Sequence, residues 1–383
     1  MKAYIISYHD SHDYNTRVKY LEKFLSSNGY DTTTIISDFN HLDKCKYIVS
    51  RPNTYSIPVT PYFKNLSISR IRSYVGFAKT CVKFISEKND VGLVYLLAPP
   101  NILISEFAKL KQKMKYKYIV EIGDMWPESI PISNNYKKLG APAFNIWKYI
   151  RDKSINSADY VITECDLFMQ KLRINGMSVP CRRVYFCKDS LYSDNVNFES
   201  IKPVRLCYIG SINNIIDIEY IGRLVGQLGK KREVCVEIIG KGENEKILCD
   251  TITRAGAKCN FHGAIYDDLK KYSIASKCHF ALNIMKDSVF VGMTMKSLDY
   301  FSIGLPIINN IEGDTWDVVN QYKCGINGKV PEEVAEIIST LTVDEFKRYR
   351  KSACNIHETL FSISKYENQM SEILELVLGE KCK

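Results

Sequence analysis

The sequence is short of the features that mark several protein classes. No apolar run approaches the roughly eighteen residues that a membrane-spanning helix needs. The opening stretch MKAYIISYHD turns polar at His9 and Asp10. It lacks the longer apolar core and small-residue cleavage site of a signal peptide, and is expected to be the first β-strand of a cytoplasmic protein. No CxxC pair occurs: the thirteen cysteines are scattered, and the nearest two, Cys181 and Cys187, are six positions apart. Their odd count and their placement in apolar segments (Cys207, Cys235, Cys278) fit reduced thiols used as small hydrophobes, and argue against a zinc site or a disulfide scaffold. No low-complexity tract or short repeat is present. With 45% hydrophobic and 25% charged residues, disorder, collagen and coiled coil are excluded.

What is present is a chain of 383 residues, enough for two cores. Its net charge of +9 is unevenly spread: residues 1–200 hold 28 basic and 19 acidic side chains, while residues 201–383 hold 24 of each. Something acidic should therefore approach the first half, whether a phosphorylated substrate, a membrane surface or nucleic acid. No basic ribbon interleaved with aromatics appears, so nucleic acid is set aside.

Both halves alternate strand and helix patterns. In the first, strands are expected at Ala3–Ser7, Thr32–Ser37, Gly92–Leu97, Tyr118–Ile122, Tyr160–Thr163 and Arg183–Phe186. The helix expected over Leu66–Lys88 carries an apolar stripe of Ile68, Ile71, Val75, Ala78, Val82 and Ile85, with Arg70, Arg72, Lys79 and Lys83 turned away from it. In the second half, strands at Arg205–Ile209, Val234–Ile239, Lys258–His262, His279–Ile284 and Pro306–Asn309 alternate with helices. Consecutive βαβ units imply parallel sheets, so the expected fold is α/β, with two Rossmann-like domains facing across a cleft. The expected division is residues 1–190, a polar linker at 191–203, a second domain at 204–360, and a tail at 361–383.

Ligands of such sheets bind beyond the carboxyl ends of the strands. Three strands of the second half end in glycine turns: Gly210-Ser211, Gly240-Lys241-Gly242 and His262-Gly263-Ala264. Glycine there admits a close ligand, and a following helix N-terminus favours an anion. In Gly292-Met293-Thr294-Met-Lys296-Ser-Leu-Asp299, Thr294 is placed to cap a helix, and Lys296 puts a cation where the helix dipole disfavours one. An anionic ligand would explain it; a solvated Lys296–Asp299 pair is the bland alternative.

The segment Lys296-x-x-Asp299-Tyr…Gly304-x-Pro306 resembles the K-x-x-E-Y…G-x-P stretch of bacterial GT-B glycosyltransferases of family 4, which build O-antigens, capsules and exopolysaccharides. Asp124-Met-Trp126-Pro127-Glu128-Ser129, Ser157–Thr163 and Val94–Pro100 are similar to further stretches of that family, in order along the chain. The resemblance implies retaining transfer of a sugar from a nucleotide-diphosphate donor held by the second domain to an acceptor, such as a lipid-linked glycan, on the first. It implies no metal and no other cofactor. It places Asp299 on the ribose, Gly292, Met293 and Thr294 around the diphosphate, and Gly263 and Ala264 by the base. It also implies that the tail from Phe361 returns to the first domain. The chain departs from the family at three places. No carboxylate lies between Ser288 and Lys296, where the family's first glutamate would fall. The basic pair after the first strand of the second domain is replaced by Ser211 and Asn213-Asn214, and Tyr8–Asn15 stands where a glycine pair is usual. Lys296, Lys241 and Arg17 are the candidates to neutralise phosphate.

On the acceptor side, Asp124 follows a strand and can orient or deprotonate a hydroxyl, with Glu128 as second candidate and a turn carboxylate as the alternative. Trp126 can stack on a sugar or fill the turn. His12, Asn15 and Arg17 follow the first strand, where His9-Asp10-Ser11-His12-Asp13 fits a polar ligand-contacting loop better than a metal site. The basic helix at 66–88 and the lysines from Lys109 to Lys117 suit an anionic membrane surface at the inner face of the cytoplasmic membrane. Two other functions fit the same pattern: a nucleotide-sugar epimerase on this fold, or a non-catalytic nucleotide-binding scaffold of a polysaccharide assembly complex.

Overall fold

A computed structural model describes residues 1–10, 16–130, 140–191 and 200–379. His12 and Asn15 lie outside the described residues. The chain divides into two compact units, one of residues 1–184 with those from Glu367 onward, the other Tyr185–Tyr366.

The first unit is built on β1 (Lys2–Ser7), β2 (Asp31–Ser37), a small antiparallel pair β3 (Phe39–Asn40) and β4 (Cys45–Lys46), then β5 (Thr54–Ile57), β6 (Val91–Ala98), β7 (Lys117–Ile122), β8 (Tyr160–Thr163) and β9 (Cys181–Arg183). Seven of these form one parallel sheet in the order β5-β2-β1-β6-β7-β8-β9. Its helices are α1 (Thr16–Ser27), α2 (Ile68–Ser86), α3 (Asn101–Lys111), α4 (Ala141–Ile155) and α5 (Asp166–Ile174). The strands read as near-continuous apolar runs because a parallel sheet is covered on both faces. The last strand ends at Arg183, and not at Phe186 as its apolar residues suggest. Edge strand β5 lacked a clear pattern, since four residues of mixed polarity carry little signal.

The second unit holds β10 (Val204–Ile209), β11 (Val234–Ile239), β12 (Lys258–Phe261), β13 (Phe280–Asn283), β14 (Ile307–Asn309) and β15 (Gly325–Asn327), all parallel in the order β12-β11-β10-β13-β14-β15. Its helices are α6 (Ile218–Gly229), α7 (Glu245–Arg254), α8 (Asp268–Ala275), α9 (Met295–Ser302), α10 (Asp314–Tyr322), α11 (Pro331–Thr340) and α12 (Val343–Ile356), which runs into a π-turn at His357–Phe361. Its core joins β10, β11 and β13 through Leu206, Val236 and Leu282 to the α6 face of Ile221, Leu224 and Leu228. The final helix, α13 (Ile363–Leu378), crosses the division after Tyr366. In the first unit its later turns are held by Arg182 on Glu372 and by Gln369 donating to the Arg183 carbonyl at 3.4 Å.

Helix α2 corrects the expected stripe. Its buried face is Arg70, Ser73, Tyr74, Phe77, Ala78, Cys81 and Ile85, whereas Ile68 and Ile71 are 70% and 53% exposed. The periodicity is helical in both cases, but the packed face is rotated in the first turns so that a guanidinium, and not two isoleucines, points inward. Arg70 therefore leaves the basic surface; Arg72, Lys79 and Lys83 remain on it.

Candidate functional site

The second sheet has the strand order 3-2-1-4-5-6 of a nucleotide-binding α/β domain, and its order reverses between β10 and β13. The sequence-predicted residues gather there. After β10, Gly210 adopts φ +126°, which L side chains rarely tolerate. A Cβ on Gly210 would lie 2.9 Å from Cε of Lys296, and one on Gly240 would lie 2.0 Å from the Gly210 carbonyl oxygen. These two glycines thus let the strand-end loops and the lysine pack on one another. Gly263, in contrast, borders open space, with Ala264 beside it in the 262–267 loop. Ser211 is exposed, and Lys241 stands 5.9 Å from the Tyr266 ring centroid.

Lys296 is the chemical centre of this end. Its Nζ donates to the Tyr208 hydroxyl at 2.5 Å and lies 4.3 Å from that ring's centroid. Tyr208 in turn donates to the Ser211 carbonyl at 2.7 Å. Among the described residues, no carboxylate oxygen lies within 4.0 Å of this amine. Burial of the amine lowers its pKa to about 7.

Helix α9 is set by the expected cap together with groups that the sequence pattern did not single out. Thr294 caps it, its hydroxyl accepting from the Ser297 N–H at 3.1 Å. The same hydroxyl donates to Asn283 Oδ1 at 2.9 Å; Asn283 donates to Asn309 at 2.9 Å, and Asn309 to Asn327 at 2.8 Å. These asparagines end β13, β14 and β15 in register, a buried amide ladder that fixes the helix N-terminus. The visible signal was an Asn at the same end of three successive strands. Gly292 is held by its carbonyl, which accepts from Thr315 N–H and hydroxyl at 2.8 and 2.7 Å, and Met293 is buried. Asp299 carries one ion pair: Lys188 donates to its Oδ1 at 2.6 Å while lying 3.3 Å from Asp268. Burial works against the Lys188 charge, but the two carboxylates outweigh it and hold that pKa above its ordinary value.

The first sheet reverses order between β1 and β6. Asp124 follows β7 and is half-buried; the Ser129 hydroxyl donates to it. Burial raises its pKa, opposed by hydrogen bonds from Ser129, Trp126 and Met125 and by the Arg70 charge. Glu128, the second base candidate, is instead locked in a bidentate pair with Arg151 at 2.8 and 2.9 Å, and Arg151 is 0% exposed. Both oxygens of Glu128 are thus engaged by a buried guanidinium, the arrangement of a structural pair. Arg17 is likewise corrected. It is buried, its Nε donates to Glu121 at 2.5 Å and its Nη2 to the Val184 carbonyl at 2.9 Å, so it is turned from any phosphate.

Trp126 is pinned through its carbonyl, which accepts from Asn101 at 2.9 Å and Arg151 at 2.8 Å. Its ring is already stacked: the Arg70 guanidinium lies 4.2 Å from the centroid. Arg70, Tyr74, Tyr62 and Lys44 thus join Asp124 and Trp126 at this end, and none of the four was expected there. Among the described residues, no group of three His, Cys, Asp or Glu side chains is placed to hold a metal.

No protein-family model matches the chain, and no curated protein matches it by sequence. Solved structures do. Sucrose-phosphate synthase from Thermosynechococcus elongatus superimposes with a TM-score of 0.73 over 99% of each chain at 13% identity. Anabaena HepE, in complex with UDP and glucose, gives 0.67 over 98% of this chain and 99% of its own, also at 13% identity. A glycosyltransferase from Rickettsia africae gives 0.68 over 99% of each chain at 14% identity. At such identities the likeness concerns the fold: two Rossmann-like domains, the GT-B architecture.

Proposed function

We propose that the protein is a retaining glycosyltransferase that takes a sugar from a nucleoside-diphosphate donor, with a uridine base, and passes it to a lipid-linked glycan in surface polysaccharide synthesis. One observation carries this: Lys296, half-buried at the switch point of the second sheet beside glycine turns and a capped helix N-terminus, without a carboxylate partner within 4.0 Å among the described residues. A diphosphate supplies the missing negative charge. As the bond from the anomeric carbon to the diphosphate breaks, charge grows on the leaving oxygen. A preorganised cation and helix N-terminus stabilise that charge with no reorganisation. Asp299, held by Lys188, keeps one oxygen for a ribose hydroxyl. Asp124, with its raised pKa and fixed Trp126 turn, orients the acceptor hydroxyl. The cations above take the place of a metal. The choice of uridine rests on the fold likeness to HepE, solved with UDP and with UDP-glucose.

No helix among the described residues is long and apolar enough to cross a membrane. Peripheral binding to the cytoplasmic face of an anionic membrane is supported by the start of α2, where exposed Ile68 and Ile71 sit with Arg72, and by Phe63, 78% exposed, with Lys64 after it.

The test is a thermal-shift and titration screen against UDP, GDP, CMP and dTDP with their sugars, with and without EDTA. A shift with UDP and UDP-sugar that survives EDTA is expected. No shift with any nucleotide defeats the proposal. Turnover of the nucleotide sugar without acceptor would mark an epimerase, and nucleotide binding without transfer would mark a scaffold.

A further inference from the structure

Arg70 poses a problem that neither packing nor the donor site answers. It is 5% exposed, and its guanidinium is only partly satisfied: Nε donates to the Tyr74 hydroxyl at 2.6 Å and Nη1 to the Asn65 carbonyl at 2.7 Å, while Nη2 is buried with no partner among the described residues. A buried cation left short of a hydrogen bond is costly. Its neighbours do not neutralise it. The guanidinium lies over three rings, 4.2 Å from the Trp126 centroid, 5.2 Å from Tyr74 and 5.4 Å from Tyr62. A second cation, Lys44, stands 5.3 Å from the same Tyr62 ring, donating to Asn65 Oδ1 at 2.8 Å and to His41 Nδ1 at 3.3 Å. Among the described residues, no carboxylate oxygen comes within 4.0 Å of either cation. Asp124 feels the Arg70 charge, which opposes the rise that burial gives its pKa, but the two side chains form no ion pair within 4.0 Å. His9 and His41 add no compensating charge: burial, with Arg70 and Lys44, keeps both neutral near pH 7.

We infer that Arg70 and Lys44 form an oxyanion subsite that holds a phosphate ester of the acceptor next to Asp124 and Trp126. This rests on the proposal that the first unit carries the acceptor. Nη2 supplies a charge-assisted donor, Lys44 keeps its third N–H, and the rings exclude water without competing for the anion. Pi-stacking fixes the guanidinium plane, a role that a lysine cannot fill. The exposed apolar side chains Phe63, Ile68 and Ile71 flank Arg70 in sequence at the start of α2, which favours a phosphate carried by a lipid.

The experiment uses the full chain with saturating UDP and two probes: soluble glycerol 1-phosphate, and phosphatidylcholine vesicles with or without phosphatidic acid. Wild type is expected to bind glycerol 1-phosphate and the phosphatidic acid vesicles. Arg70→Gln should weaken both by about tenfold or more, the loss of one charge-assisted bond. Arg72→Gln removes the same charge from the exposed side of the helix and should leave glycerol 1-phosphate binding unchanged. Equal losses in the two variants, unchanged binding in Arg70→Gln, binding of neither probe by wild type, or a loss in Lys296→Met alone would each overturn the subsite. Arg70-dependent binding of vesicles alone, or of the soluble ester alone, supports it and tells which source of phosphate it takes. Unaltered UDP affinity shows that Arg70→Gln is folded. Should it not fold, Lys44→Met decides, with about threefold weakening expected and wild-type binding overturning the inference. If UDP fails to bind while anion binding still depends on Arg70, the donor proposal falls and the subsite stands.

Discussion

Each unit of this protein draws a cation partly or wholly out of water at one end of a parallel sheet, and neither cation has a carboxylate within 4.0 Å among the described residues, but the two solve the problem differently. In the second unit Lys296 sheds charge, its pKa lowered to about 7 by burial. In the first, Arg70 cannot shed charge, since a guanidinium stays protonated, and so spreads it over Trp126, Tyr74 and Tyr62. A third buried cation, Arg151, is the control: it has Glu128 and Asp152 at 2.8 Å. The difference teaches that burial of a cation is a structural matter where carboxylates accompany it and points to a ligand where they do not.

The sharpest way to break this comparison is Lys296→Met. Removing the cation at the leaving diphosphate should lower kcat by about 10²–10³-fold, with acceptor KM little changed. A steady-state assay showing loss only in acceptor KM would erase the distinction between the two sites. Next, Glu128→Gln should cost stability and not chemistry. It weakens the bidentate partner of a fully buried arginine, for a loss of up to about 3 kcal/mol by denaturant unfolding, while kcat per folded molecule is retained. A catalytic collapse without destabilisation would return Glu128 to the list of bases.

A smaller effect separates the lysine from the arginine by pH. Free Lys296 is charged below about pH 7 and neutral above it, and a bound diphosphate raises that pKa. Binding above pH 7 therefore takes up a proton, and UDP affinity should be flat below pH 7 and fall by up to about tenfold per pH unit above it. Titration calorimetry in buffers of different ionisation enthalpy would register the proton, and Lys296→Met should abolish both effects. Glycerol 1-phosphate binding at Arg70 should lack this dependence. The smallest effect is expected of Thr294→Ala, which leaves Lys296 in place but removes the cap and one end of the asparagine ladder, at about 1 kcal/mol of stability, with a few-fold loss of UDP affinity.

Much of the architecture was legible beforehand, for local reasons. The strands Tyr160–Thr163 and Val234–Ile239 stand where the apolar periodicity places them, because a strand covered on both faces leaves a strong pattern. Thr294 caps its helix because the capping contact spans three residues. Lys296 was legible too, as a cation in a first helical turn, where the dipole gives it no reason to be.

What sequence could not convey is which charged side chains turn inward and whom they meet. Arg17 reaches Glu121, 104 positions away, and Lys188 reaches Asp299 across 111. Such pairs leave no periodic trace. Arg70 shows the point most fully. The spacing of Ile68, Ile71 and Val75 describes an apolar face as well as the true one, and the helix takes the rotation that packs Tyr74, Phe77 and Cys81 against the sheet. Local patterning thus settles where most strands and helices form. The rotation of a helix is settled by the sum of its long-range contacts, and with it whether an arginine meets water or waits, buried, for a ligand.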